Sequence, residues 1–255
     1  MSFLSKSGRL LVLLSVVSLA FSLQASDPMR IAAASSLRYA LDDILTLYRE
    51  SHPNADIEAI YGSSGKMTAQ IMNGAPFDIF FSADFAFPEL LKKEGYAATD
   101  PVVYATGRIV IWSSTIDAAN LTFEDMRSDS IRRIAIAQPA HAPYGLLAKE
   151  AMQTAGVWDD VQDKLVFGEN IAHAAQMAQS GAAEAAIIAL SLARSPVLAM
   201  HKHSLIDKAL HNPLMQGYVI TRRGGNHPEA LTFAEFMTTD TANTVLIQYG
   251  FITPE

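Results

Sequence analysis

The chain has 255 residues, half of them apolar, no cysteine and a formal charge of −7 at neutral pH. Without cysteine there is no disulfide, no thiolate metal ligand and no thiol nucleophile, so stability has to come from burial. The acidic balance argues against nucleic acid and anionic membrane surfaces as partners.

At the N-terminus, Lys6 and Arg9 precede an uncharged apolar run over residues 10–21, and small or polar residues follow through Ala25 and Ser26. A basic start, a short apolar centre and a small-residue exit predict a secretory signal peptide over residues 1–25, cleaved near Ala25. The run is shorter than the roughly 20 residues that span a bilayer. Lipid attachment in exported bacterial proteins uses a cysteine, which this chain lacks. Losing the peptide removes two bases and no acids, leaving a mature charge of −9. An anionic ligand must therefore be drawn in by local dipoles and not by the overall field.

Residues 29–34 read as a buried strand. Leu37, Ala40, Leu41, Ile44, Leu45 and Tyr48 then recur at helical spacing and predict an amphipathic helix. A strand over 56–61 follows, and the Ser63-Ser64 turn opens a helix to about Asn73, stopped by Gly74 and Pro76. A third strand covers 78–81, with a helix over 88–93 that ends at Gly95. The rhythm continues with strands over 108–112 and 133–137, a short helix over 123–127 between them, and a helix over 144–154 stopped by Gly156. Next come a strand over 165–167, a helix over 171–179, buried strands over 185–189 and 217–221, and helices over 229–237 and 241–249. Such alternation implies an α/β protein with mainly parallel sheets. No low-complexity linker or internal repeat interrupts it. Two lobes would be joined by extended segments, for which the runs before Arg108 and around Gln216 are the candidates.

In open α/β sheets, ligands gather beyond the carboxyl ends of strands. Helix N-termini point there, with unpaired N–H groups and roughly half a positive charge, and bind anions without lysine or arginine. Two turns suit that role: Ala34-Ser35-Ser36-Leu37 and Gly62-Ser63-Ser64-Gly65. Each alone reads as ordinary N-capping. Together, at successive strand ends, they would place hydroxyls on one crevice. His141-Ala142-Pro143-Tyr144-Gly145 and Gly168-Glu169-Asn170-Ile171 are candidates for the opposite wall, with N–H groups around Tyr144 and Ile171 as donors.

Other chemistries have weaker signatures. Ser63 and Lys66 stand at S-x-x-K spacing, as in serine hydrolases, but no S-D-N or K-T-G accompanies them. A nucleotide-binding loop would need an upstream glycine and a following Ser or Thr. His201, His203, His211 and His227 match no zinc spacing and read as a solvated loop, so no metal is expected to be coordinated directly. Asp78 and Asp84 flank an apolar strand and read as cap and turn residues, and Trp112 and Trp158 as core or lobe edge.

Ala32-Ala33-Ala34-Ser35-Ser36-Leu37, Gly62-Ser63-Ser64 and the run from Gly74-Ala75-Pro76-Phe77-Asp78 to Ser82-Ala83-Asp84 resemble periplasmic molybdate-binding proteins of ABC transporters. So do His141-Ala142-Pro143-Tyr144-Gly145, Glu169-Asn170-Ile171 and the terminal Tyr249-Gly250-Phe251, which extends the resemblance over nearly the whole mature chain. The resemblance implies a periplasmic, monomeric, non-enzymatic binding protein of the two-lobed type II fold, each lobe a mainly parallel sheet flanked by helices, with a hinge. Lobe 1 would comprise residues 26–107 and 217–255, and lobe 2 residues 108–216. The ligand implied is molybdate or tungstate, with no cofactor, and the partner a membrane permease. Carried over residue by residue, Ser36 and Ser64 would give hydroxyl and backbone donors, and Ser35 a further donor. Tyr144 and Ile171 would give backbone N–H groups. A family tyrosine after the strand over 185–189 does not carry over, since Ile188-Ala189-Leu190-Ser191 stands there. That departure leaves open another oxyanion, such as sulfate, chromate or an organic anion.

Overall fold

The computed structural model describes residues 27–254, so the expected signal peptide lies outside the described residues. In chain order, β1 (Met29–Ala34), α1 (Arg38–Ser51), β2 (Ile57–Gly62), α2 (Ser64–Met72), β3 (Ile79–Ser82), α3 (Ala86–Lys93) and β4 (Val102–Gly107) build most of the first lobe. The second contains β5 (Ile109–Trp112), β6 (Ile134–Ala137), α4 (Pro143–Thr154), α5 (Trp158–Val161), β7 (Leu165–Gly168), α6 (Ile171–Gln179), β8 (Ala185–Ala189), α7 (Leu190–Ala193) and β9 (His203–Leu205). The chain then returns to the first lobe as β10 (Leu214–Ile220), α8 (Pro228–Phe236) and α9 (Asp240–Gln248).

Each lobe has a five-stranded sheet, ordered β2-β1-β3-β10-β4 in the first and β7-β6-β8-β5-β9 in the second. Three neighbouring strands in each sheet run parallel, and the two that complete it are joined by antiparallel pairings. The strands so joined include β4, β5 and β10, which flank the crossings between lobes. Strands β3, β5, β6 and β8 are buried at every residue, which explains their unbroken apolar runs: helices cover both faces of the sheet.

Local chemistry accounts for most elements. On α1 the buried residues Ala40, Leu41, Ile44, Leu45 and Tyr48 form the predicted stripe, after a single 3-10 turn over Ser35–Leu37. Gly74 and Gly156 stop α2 and α4 with φ of 86° and 71°, the left-handed geometry that glycine adopts without a Cβ penalty.

Four elements have no clear signature in the sequence. Strand β4, read as a crossover, is made by its pairing with β10, and β9 by its pairing with β5. Helices α5 and α7 have four residues each, too few to display a helical period. His203, expected in a solvated loop, lies in β9, and His211 is buried. Asp78, read as a cap, is a buried anchor: its carboxylate accepts the Arg30 N–H at 2.8 Å and pairs with the Arg223 guanidinium.

The core divides with the lobes. One cluster surrounds Trp112 and the second sheet, and another packs Tyr48, Phe81 and Phe233 beneath the first. Ala34 and Ala83, at the carboxyl ends of β1 and β3, pack into the second lobe's cluster. The end of β1, which bears Ser35 and Ser36, is thus pressed against the opposite lobe.

Candidate ligand-binding site between the lobes

Ser35, Ser36, Ser64, Tyr144 and Ile171, the five residues singled out in the sequence, line one small cavity. Ser35 and Ser36 form the turn after β1, and Ser64 opens α2 after β2. Tyr144 and Ile171 lie in the first turns of α4 and α6 across the seam. In the first turn of a helix the N–H groups have no intrahelical acceptor. The backbone donors of Ser64, Tyr144 and Ile171 therefore converge on one small space from both lobes, with the positive ends of three helix dipoles behind them. Among the described residues, no lysine, arginine, aspartate or glutamate lines the cavity.

The hydroxyls divide into two groups. Ser64 Oγ, fully buried, accepts the Ala83 N–H at 3.0 Å, so its own proton is free to point into the cavity. Ser36 Oγ is buried and meets no hydrogen-bond partner among the described residues. It stands near enough to the Tyr144 hydroxyl to oppose the rise in tyrosine pKa that burial causes, as Gln216 also does. Ser35 is different. Its hydroxyl donates to Asn170 Oδ1 at 3.1 Å and accepts the Ala172 N–H at 3.3 Å, so it ties the first lobe to the start of α6.

Further bonds close the seam around the cavity. Gly65 N–H donates to His141 O at 3.0 Å, and the Ser63 hydroxyl meets His141 Nδ1 at 3.0 Å. Lys66 pairs with Glu169 at 3.0 Å, an exposed ion pair worth about 0–1 kcal/mol. Lys66 is thus a seam residue, with its S-x-x-K partner Ser63 turned to His141. Ser191 Oγ donates to Ser36 O at 2.7 Å, so the residue near the missing family tyrosine ties the lobes together from behind the cavity.

Sequence reasoning passed over the side chains of His141, Asn170, Ser191 and Gln216. Asn170 had a readable signal, since its Oδ1 caps α6 by accepting His173 N–H at 3.0 Å. Ser191 and Gln216 had none. Their partners are 155 and 72 residues away.

Comparison with known proteins places this architecture. The family described as bacterial extracellular solute-binding protein matches residues 29–252. The molybdate-binding protein ModA of Rhodobacter capsulatus is 31% identical over 87% of this chain and 87% of its own. A putative ABC transporter substrate-binding lipoprotein of Bacillus subtilis, YvgL, is 28% identical over 88% of this chain and 85% of its own. The structure of the Azotobacter vinelandii periplasmic molybdate-binding protein superposes with a TM-score of 0.84 at 27% identity, covering 89% of this chain and all of that one. Such proteins are non-enzymatic binding components of transport systems. Two lobes shut on a donor-lined cavity, and a family match over almost every described residue, agree: the chain belongs to the bacterial extracellular solute-binding proteins.

Proposed function

We propose that the protein captures molybdate, and tungstate with it, between its lobes in the periplasm and delivers it to the membrane permease of an ABC transporter. The observation that carries this reading is the cavity wall: backbone and hydroxyl donors from both lobes, with no charged side chain among them. A doubly charged oxyanion is costly to bury unless its oxygens accept strong hydrogen bonds, and helix N-termini supply them. A wall without a carboxylate acceptor disfavours protonated phosphate, whose hydroxyl needs one. Two carbonyls of wall serines are already taken, Ser36 O by the Ser191 hydroxyl and Ser64 O by the Thr68 hydroxyl. Against sulfate, alike in charge and shape, cavity size decides. The curated relative from Rhodobacter capsulatus and the superposed Azotobacter vinelandii structure are both named as molybdate-binding. The absence of a tyrosine after β8 favours, as a second reading, the same fold tuned to another small oxyanion.

The test is calorimetric titration of the mature, ligand-stripped protein with molybdate, tungstate, sulfate and phosphate. One-to-one binding of the first two with little sulfate signal is the expected result. A sulfate response equal to that of molybdate would reassign the ligand.

Closure should also depend on pH. Burial lowers the pKa of His141, Lys66 lowers it further, and Glu169 raises it. The open form, with a histidine nearer its ordinary value of about 6.5, therefore binds more protons than the closed form just below that pH. Closure is fully supported above about 6.5 and weakens as pH falls through the depressed value. Molybdate affinity is expected to fall a few-fold between pH 7.5 and 5.5, and His141→Asn to flatten the profile. An equally steep profile in the variant would place the titrating group elsewhere.

A further inference from the structure

A chain of buried side-chain hydrogen bonds runs from the hinge to the cavity. Tyr104 on β4 donates its hydroxyl proton to Gln216 Oε1 at 2.7 Å, and Gln216 Nε2 donates to the Tyr144 hydroxyl oxygen at 2.7 Å. Tyr104 and Gln216 belong to the first lobe's sheet, and Tyr144 begins α4 in the second, so the second link crosses the seam. Gln216 is fully buried and sits where β10 slips register against β4. Gly107, at the crossing to β5, makes room. A Cβ there would stand 2.3 Å from the Tyr144 hydroxyl and 2.4 Å from Gln216 Nε2.

The direction of this chain matters chemically. A glutamine amide has one accepting and one donating end, and its orientation follows from its neighbours. The other acceptor for the Tyr104 proton, Ser82 O, is 3.5 Å away, too far to compete with Gln216. Tyr104 therefore turns Oε1 towards itself and Nε2 towards Tyr144. With an N–H already donated to its oxygen, the Tyr144 hydroxyl must send its own proton elsewhere. Its neighbour there is Ser36, whose buried hydroxyl has no partner and lines the cavity. Only one of these two neighbouring hydroxyls can donate to the other, so at least one proton is left for the cavity.

We propose that Gln216 is a positioning residue that makes the Tyr144 hydroxyl a donor to the bound oxyanion. It thereby links hinge geometry to ligand binding and restores a tyrosine donor to the site from a different element. The inference rests on the oxyanion reading above. It adds a side-chain role for Tyr144 to the backbone role expected from the sequence, and a role for a hinge residue outside the cavity wall.

The experiment is a double-mutant cycle on the full mature chain, with molybdate affinity read by calorimetry and the melting temperature of each unliganded variant as a folding control. Tyr144→Phe is expected to weaken binding about 10- to 100-fold, the range for one hydrogen bond to a charged group. Gln216→Met, similar in volume but without a donor, is expected to lose several-fold in the wild-type background and almost nothing in the Tyr144→Phe background. Equal losses in both backgrounds would mean that Gln216 only packs the hinge, and would overturn the proposal. So would a Tyr144→Phe variant that binds like the wild type. If Gln216→Met does not fold, Tyr104→Phe, which frees the amide to rotate, replaces it in the cycle. A wild-type protein that binds no oxyanion defeats the functional reading and this inference together. Wild-type binding with indifferent variants defeats this inference alone.

Discussion

Ser64→Ala is expected to weaken molybdate binding by about two to four orders of magnitude while leaving the fold of both lobes intact. The hydroxyl has two roles in the closed form. It accepts the Ala83 N–H at 3.0 Å and keeps its proton for the cavity. Losing a hydrogen bond to a charged ligand costs about 1.5–3 kcal/mol. The stranded Ala83 N–H adds about 1–3 kcal/mol if buried without a partner. When the lobes are apart, water can reach that amide, so the second penalty falls mainly on the closed, liganded state. At about 1.4 kcal/mol per tenfold change, the two together give the stated loss. Ser35→Ala is the internal contrast. Its hydroxyl is engaged by Asn170, so it removes a seam contact and should cost less. Titration of both variants decides the matter. A Ser64→Ala affinity within about threefold of the wild type would mean that the hydroxyl does not face the ligand.

Gly145→Ala is expected to destabilise the second lobe by at least 3 kcal/mol and to abolish tight binding, although helix propensity alone points the other way. Alanine in a helix is favoured over glycine by about 1 kcal/mol. Here the packing reverses the sign. A Cβ at Gly145 would stand 2.0 Å from the carbonyl oxygen of Ala137, the last residue of β6, and 2.6 Å from its carbon. Neither atom can swing aside, because both belong to the backbone of a buried strand. Overpacking a core typically costs about 1–3 kcal/mol, with larger values where the obstacle is rigid. Relief requires α4 to lift from the strand end, which carries the N–H of Tyr144 away from the cavity. Urea unfolding and ligand titration on one preparation test both halves. A variant as stable as the wild type would show that α4 tolerates the shift.

Much of this architecture was legible in the sequence. The amphipathic stripe of α1, the glycine stops after α2 and α4, and the unbroken apolar strands of the second sheet follow from patterns a few residues long. The serine-rich turns after β1 and β2 were legible for the same reason. What was hidden depends on distant partners: β4 and β9 form because a neighbouring strand offers a ladder, and neither carries a distinctive period of its own. Asp78 read as a turn residue because its role comes from Arg30 and Arg223, far away along the chain.

By itself, the sequence determined that helices begin at Ser35–Leu37, Ser64, Pro143 and Ile171, next to small residues. That is local chemistry, since a helix start exposes its N–H groups whatever surrounds it. The tertiary structure alone decided which polar groups remain available. It turned Ser35 towards Asn170, Ser63 towards His141 and Ser191 towards Ser36 O, and it left the Ser36 hydroxyl and the Ser64 proton at the cavity. A hydroxyl can cap a helix, clasp a lobe or hold a ligand with the same atom. Only the acceptor within hydrogen-bond reach selects among these, and here the fold brings that acceptor from the opposite lobe.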